Sequence, residues 1–334
     1  MSRIIPALIL CLVTLSASAF PPELLDKPDA WYNSEEGRTA TSCVLSWQSE
    51  QGIWPKNKNT ALKPNPGSRA KVAGTFDNKA TTDELRYLAR AYRATSDAAC
   101  KSAFLLGLDC ILKAQYTNGG WPQSFPLGKK VYPHHITFND GAMIRVMQFL
   151  QEVATNDVYA FVAAERRTDA RQAVVRGIEC IVRCQVIVAG QPTVWCAQHD
   201  AVTLAPTLAR AYELPSLSGS ESAGILRFLM ALEKPTPAVI AAVKAGTAWF
   251  ESAKIKGIRI VSVNGDRQVI ADAAALPMWA RFYDLETGRP FFCDRDGVKK
   301  SELAEISKER RNGYSWYGGW GDAVAKAYAK WPHH

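Results

Sequence analysis

The chain has 334 residues, a formal charge of +8 and an ordinary globular composition apart from ten tryptophans. No Lys/Arg run is dense enough to read as a nucleic-acid patch, and no segment is long and apolar enough to span a bilayer. The positive charge suits a polyanion of some kind without choosing among nucleic acid, anionic lipid and acidic polysaccharide.

Arg3, the apolar run over residues 4–15 and the small-x-small site Ala17-Ser18-Ala19 read as a signal peptide. The mature chain is therefore expected to begin near Phe20 and to leave the cytoplasm, with no membrane attachment after cleavage. Cys11 would depart with the signal. Seven cysteines then remain (Cys43, Cys100, Cys110, Cys180, Cys184, Cys196 and Cys293), an odd number that cannot all pair within one chain. Cys180 and Cys184 stand at i, i+4 on a predicted helix, unlike a zinc knuckle, and are read as small buried residues.

An internal repeat organises the mature chain. Leu45-Ser46-Trp47-Gln48 and Gly52-Ile53-Trp54-Pro55 recur as Leu112-Lys113-Ala114-Gln115 and Gly119-Gly120-Trp121-Pro122. A weaker third copy holds Gly177, Cys180, Ile181 and Gln185, and a fourth holds Gly246, Trp249, Phe250 and Lys254. Gln48, Gln115, Gln185 and Lys254 fall at steps of 67, 70 and 69 residues.

Between these marks lie amphipathic helices with i, i+3, i+4, i+7 spacing: Leu85, Leu88, Ala89, Tyr92; Met143, Val146, Met147, Leu150; and Ile225, Phe228, Leu229, Leu232. Capping boxes are predicted at Thr81-x-x-Glu84 and Ser218-x-x-Glu221. Ile258-Arg259-Ile260-Val261 and Val269-Ile270 predict one small β-hairpin. The expected fold is all-α: an α/α toroid of repeated helical hairpins with long loops, forming one domain over residues 20–334.

Two related tetrapeptides, Thr75-Phe76-Asp77-Asn78 and Thr137-Phe138-Asn139-Asp140, lead into the first two of these helices. Two readings stand for their acids. They cap helix N-termini, or the repeat brings them together as a hard-cation site or an acid/base pair. The Trp-Pro loops and the C-terminal Tyr314, Trp316, Tyr317 and Trp320 likewise read either as sugar-stacking platforms or as aromatic anchors. His134, His135 and His199 lack a third ligand at metal spacing and are read as hydrogen-bonded structural residues.

Longer strings carry a resemblance. Asn118-Gly119-Gly120-Trp121-Pro122-Gln123, the run over residues 135–143, Trp195-Cys196-Ala197-Gln198-His199-Asp200 and the stretch from Leu204 to Glu221 resemble the family 10 polysaccharide lyases, which are pectate lyases. The likeness extends from about Trp31 to the end of the chain. It implies an α/α barrel that cleaves polygalacturonate by calcium-assisted β-elimination. By position it implies Asp77 and Asp140 as Ca2+ ligands and Arg210 as the base. Arg281 and Arg295 would hold substrate carboxylates, with Asn78 as a further substrate-binding residue. Two carboxylates fall short of the six to eight oxygens calcium takes, so water and substrate would have to complete the set. The alternative for Arg210 is a helix-surface residue paired with Glu213 at i+3. Two other functions compete: a toroidal glycoside hydrolase using Asp77, Asp140 or Asp200, and a non-catalytic uronan-binding protein.

Overall fold

The computed structural model describes residues 20–333, so the expected signal peptide lies outside the described residues. Ten α-helices follow in chain order: α1 (Asp29–Tyr32), α2 (Glu35–Ser46), α3 (Thr82–Thr95), α4 (Ala98–Lys113), α5 (Ala142–Thr155), α6 (Ala164–Cys184), α7 (Gly219–Met230), α8 (Pro237–Ser252), α9 (Lys308–Gly313) and α10 (Trp320–Tyr328). Helices α3, α5 and α7 pack in succession as an inner layer, and α10 joins them against α7 and α8. Helices α2, α4, α6 and α8 form the outer layer, and α3–α4, α5–α6 and α7–α8 are the predicted hairpins. This is the α/α toroid the repeat implied.

The repeat is built from hydrogen bonds made by its sequence marks and by two further tryptophans, Trp195 and Trp279. The indole N–H groups of Trp54, Trp121, Trp195 and Trp279 donate to Val44, Ile111, Ile181 and Phe250, each on the outer helix that precedes the tryptophan. All four rings are buried, so they are anchors for the loops and not sugar platforms. Gln48, Gln115 and Gln185 each donate through Nε2 to a carbonyl of their own loop and to one on the next outer helix, at 2.8–3.0 Å. Lys254 departs from this pattern. Its ammonium pairs with Glu251 at 2.5 Å.

The loops are stitched unit to unit by the main chain. Thr75, Thr137 and Ser218 donate their N–H groups to the carbonyls of Trp54, Trp121 and Trp195. The next residues, Phe76, Phe138 and Gly219, donate to Gln123, Ala197 and Arg281, each two residues after the tryptophan of the following unit. Three ladders therefore run in register around one end of the inner layer.

The hairpin is longer than predicted, Ile258–Val263 paired with Asp266–Ala271. Asn264 and Gly265 turn it with φ of 51° and 70°, the left-handed pair a two-residue connection requires. The charged and polar residues at 266–268 hide its second strand from a hydrophobicity pattern. All seven cysteines in the described residues are buried and free, in keeping with the small-residue reading.

His199 is fully buried: Nε2 accepts the Cys196 N–H at 3.1 Å and Nδ1 donates to the Leu204 carbonyl at 2.8 Å. Burial pushes its pKa from 6.5 down to about 4. The unfolded chain thus gains a proton between these values that the fold refuses, so stability falls as the pH drops through that window. The expected loss is up to about 3 kcal/mol. Urea unfolding of wild type and His199→Asn should show their stability difference narrowing from pH 6.5 to pH 4. A constant difference would exclude this origin.

Candidate active site

The two tetrapeptides form adjacent turns at the mouth of the inner layer. Asn78 and Asp140 sit at matching positions with φ of 52° and 50°. Asn and Asp tolerate this left-handed conformation because their short polar side chains bond locally. The acids themselves are exchanged between the copies: Asp77 matches Asn139, and Asn78 matches Asp140. Neither acid caps a helix, since the N-caps of α3 and α5 are Thr81 and Gly141. The helix-entry reading therefore fails for both.

Asp77 is almost fully buried, and its Oδ2 accepts from Lys56 Nζ and from Gln123 Nε2 at 2.7 Å. Its Oδ1 is buried without a hydrogen-bond partner. Asp140 is more open. Its Oδ2 accepts from Asn139 Nδ2 at 3.0 Å and its Oδ1 from Arg281 Nη2 at 3.3 Å.

Arg281 is the hub of the second turn. Its Nη2 also donates to Asn139 Oδ1 at 3.3 Å and to Glu221, and its guanidinium lies 4.5 Å over the Tyr314 ring. Burial disfavours its charge, but Glu221, Tyr314 and Asp140 outweigh that cost and raise its pKa above the ordinary arginine value. Glu221 was predicted to close a capping box on Ser218, and only half of the box forms. Ser218 Oγ accepts the Glu221 N–H at 3.4 Å, but the Ser218 N–H is already bonded to the Trp195 carbonyl. The Glu221 carboxylate therefore turns to the Ser218 hydroxyl and to Arg281.

Arg210 lies in the loop between α6 and α7, not on a helix. It nevertheless pairs with Glu213, with Nε donating to Oε2 at 2.7 Å and Nη2 to Oε1. It rests 4.9 Å over Tyr212 and 5.8 Å over Tyr314, whose hydroxyl donates to Glu213 at 2.8 Å. Burial again disfavours its charge, and the Glu213 contact more than offsets this, so its pKa is raised. Arg295 is exposed, donates to Glu309 at 3.2–3.3 Å, and approaches the Tyr212 ring at 5.9 Å. Two tyrosine rings thus gather Arg210, Arg281 and Arg295, with Arg281 joining them to Asp140. Beside Asp140 a groove of about 620 Å3 opens between α5 and α7, lined by Asn78, Arg145, Ser220, Glu221 and Arg227 among others.

The remaining candidate acid lies elsewhere in function. Asp200 Oδ1 accepts the N–H groups of Val202 and Thr203 and the Thr203 hydroxyl, a turn closure that holds it ionised. A carboxylate fixed in that state is poorly suited to act as a general acid.

Sequence reasoning missed Lys56, Gln123, Arg145 and Glu221. A signal existed for three of them. Lys56, Gln123 and Arg281 each stand two residues after an anchoring tryptophan, and Glu221 stands three after Ser218 as Asp140 does after Thr137 and Asn78 after Thr75. Arg145 lacks such a mark. It is half-buried beside the turns; burial lowers its pKa, opposed by Asp140, Asp83 and Asp77.

Comparison with known proteins gives the family. The family description "pectic acid lyase" matches residues 48–325. A family 10 polysaccharide lyase from Cellvibrio cellulosa is 36% identical with a TM-score of 0.82, covering 96% of this chain and 99% of its own. An Asp→Ala variant of family 10 polysaccharide lyase from Cellvibrio cellulosa, in complex with trigalacturonic acid, is 36% identical with a TM-score of 0.81, covering 93% and 99%. No curated protein sequence matches. The family match and the two similar structures place the toroid among the polysaccharide lyases. The chain belongs to the pectic acid lyase family, and the enzyme is a pectate lyase.

Proposed function

We propose that this pectate lyase is exported, that residues from about 20 onward form one catalytic domain, and that it cleaves 1,4-linked polygalacturonate by calcium-assisted β-elimination. The substrate reading is supported by the trigalacturonic acid bound to the similar lyase. Export rests on the signal-like first residues. The observation that carries the chemistry is that adjacent turns hold Asp77, with a buried unpartnered Oδ1, and the open Asp140, and that Arg281 pairs with Asp140 and shares the Tyr314 ring with Arg210.

The donor set suits a hard cation. Asp77, Asp140 and Asn78 offer only oxygen for ligation, and two carboxylates fall short of a full ligand set. Substrate and water would supply the other oxygens. Calcium, when bound, supplies Lewis-acid neutralisation of the charge that grows on the uronate carboxylate.

The chain's own residues divide the remaining work. Arg295 on the rim and Arg281 behind Asp140 hold carboxylates of the sugar chain through the planar guanidinium fork. Arg210, in its neutral form, takes the C5 proton. The C5–H electron pair becomes the C4–C5 double bond, and the C4–O bond breaks with its pair on the departing oxygen, which is then protonated. Polygalacturonate digested by the purified enzyme should yield unsaturated oligogalacturonides, and excess chelator should abolish the product. Saturated reducing ends that persist in chelator would replace this reading with a hydrolase.

A further inference from the structure

The four positions that follow the anchoring tryptophans by two residues are Lys56, Gln123, Ala197 and Arg281. Two of them place a cation on each candidate calcium carboxylate: Lys56 on Asp77 and Arg281 on Asp140. The two cations are not held alike. Arg281 has a side chain only 7% exposed, fixed by Glu221, Asn139 and the Tyr314 ring. Lys56 has a side chain 42% exposed, and Asp77 is its single salt-bridge partner among the described residues. Gln123 independently holds Asp77 Oδ2 at 2.7 Å, so the carboxylate keeps its orientation if the lysine leaves.

We infer that Lys56 is a displaceable internal counter-ion: it neutralises Asp77 while no metal is bound and competes with the divalent cation for that carboxylate. The inference rests on the calcium reading of Asp77 and Asp140. A buried carboxylate with one unpartnered oxygen is costly to leave uncompensated, and a tethered ammonium meets that cost in the free enzyme. The same ammonium repels a cation approaching Oδ1 from a few ångströms away. Metal affinity is then reduced by the fraction of molecules in which Lys56 occupies Asp77, and for occupancy of nine-tenths or more the reduction is about tenfold or greater.

Terbium luminescence, a hard-cation probe sensitised by tryptophan, tests this on the full mature chain without substrate. Lys56→Met should bind Tb3+ about tenfold or more tightly than wild type, Lys56→Gln should behave likewise, and Ca2+ should displace the probe from both. Unchanged or weaker affinity in both variants, with circular dichroism matching wild type, overturns the role of Lys56 and leaves the calcium reading standing. Asp77→Asn should remove the gain in the Lys56→Met background. If Tb3+ binding is indifferent to Asp77→Asn in both backgrounds, the calcium reading falls, and the inference with it.

Discussion

Replacing Arg210 with alanine should lower kcat by about 10³-fold or more while leaving the affinity for oligogalacturonate within a few-fold of wild type. The expectation has a physical difficulty that also sharpens it. Glu213 holds Arg210 protonated, with a pKa raised beyond the ordinary arginine value. Only the neutral guanidine can accept a proton. Below that pKa its fraction grows tenfold for each pH unit, so log(kcat/KM) should climb with a slope of about 1 toward alkaline pH and reach no plateau before the enzyme unfolds. The C5 proton is weakly acidic, so a very strong base is chemically suited to it. Arg210→Lys provides the control: it keeps a charge beside the buried Glu213 but carries an intrinsically weaker base, so its profile should bend toward a plateau at lower pH than that of the wild type. A wild-type profile flat between pH 8 and pH 10 would sink the assignment of Arg210 as base.

The second large effect is expected at Glu221. Its carboxylate is almost completely buried and paired with an equally buried Arg281. Removing one partner of such a pair typically costs about 3–5 kcal/mol, because the other charge is left behind. Asn139 and Asp140 still accept from Arg281, so Glu221→Gln should fall at the lower end, about 3 kcal/mol by chemical unfolding. Arg281 should then close on Asp140 and take that carboxylate out of use, with kcat falling more than KM rises. Glu221→Gln combined with Arg281→Met should lose less stability than the two single losses added together, which is the signature of a coupled pair. Additive losses would mean that the pair is not what holds the second turn in place.

How much of this was written in the sequence depends on the kind of signal. The amphipathic helices and the recurring Gln48, Gln115 and Gln185 with Trp54 and Trp121 announced the toroid because these residues make matching hydrogen bonds in each unit, while Trp195 and Trp279 make the same bond outside the marks read from the sequence. The acids of the paired tetrapeptides were visible for the same reason, with the acid exchanged between the copies as Asp77-Asn78 and Asn139-Asp140. Arg210, Arg281 and Arg295 were found only through resemblance. They come from loops whose lengths differ, and what unites them is a pair of tyrosine rings, Tyr212 and Tyr314, which leaves no periodic trace. Glu221 was hidden by a motif that predicts a local partner. Its carboxylate went to a residue of the next unit because the backbone group it would have capped was already taken.

The main-chain ladder that joins each turn to the following loop has a further consequence. Its rungs use only N–H and carbonyl groups, so the positions two residues after Trp121, Trp195 and Trp279 are held in space whatever side chain they carry. Glutamine, alanine and arginine already occupy these three in this one molecule. The ring therefore works as a set of sockets around a fixed mouth, and the chemistry presented there can be rewritten one residue at a time while the fold beneath it stays the same.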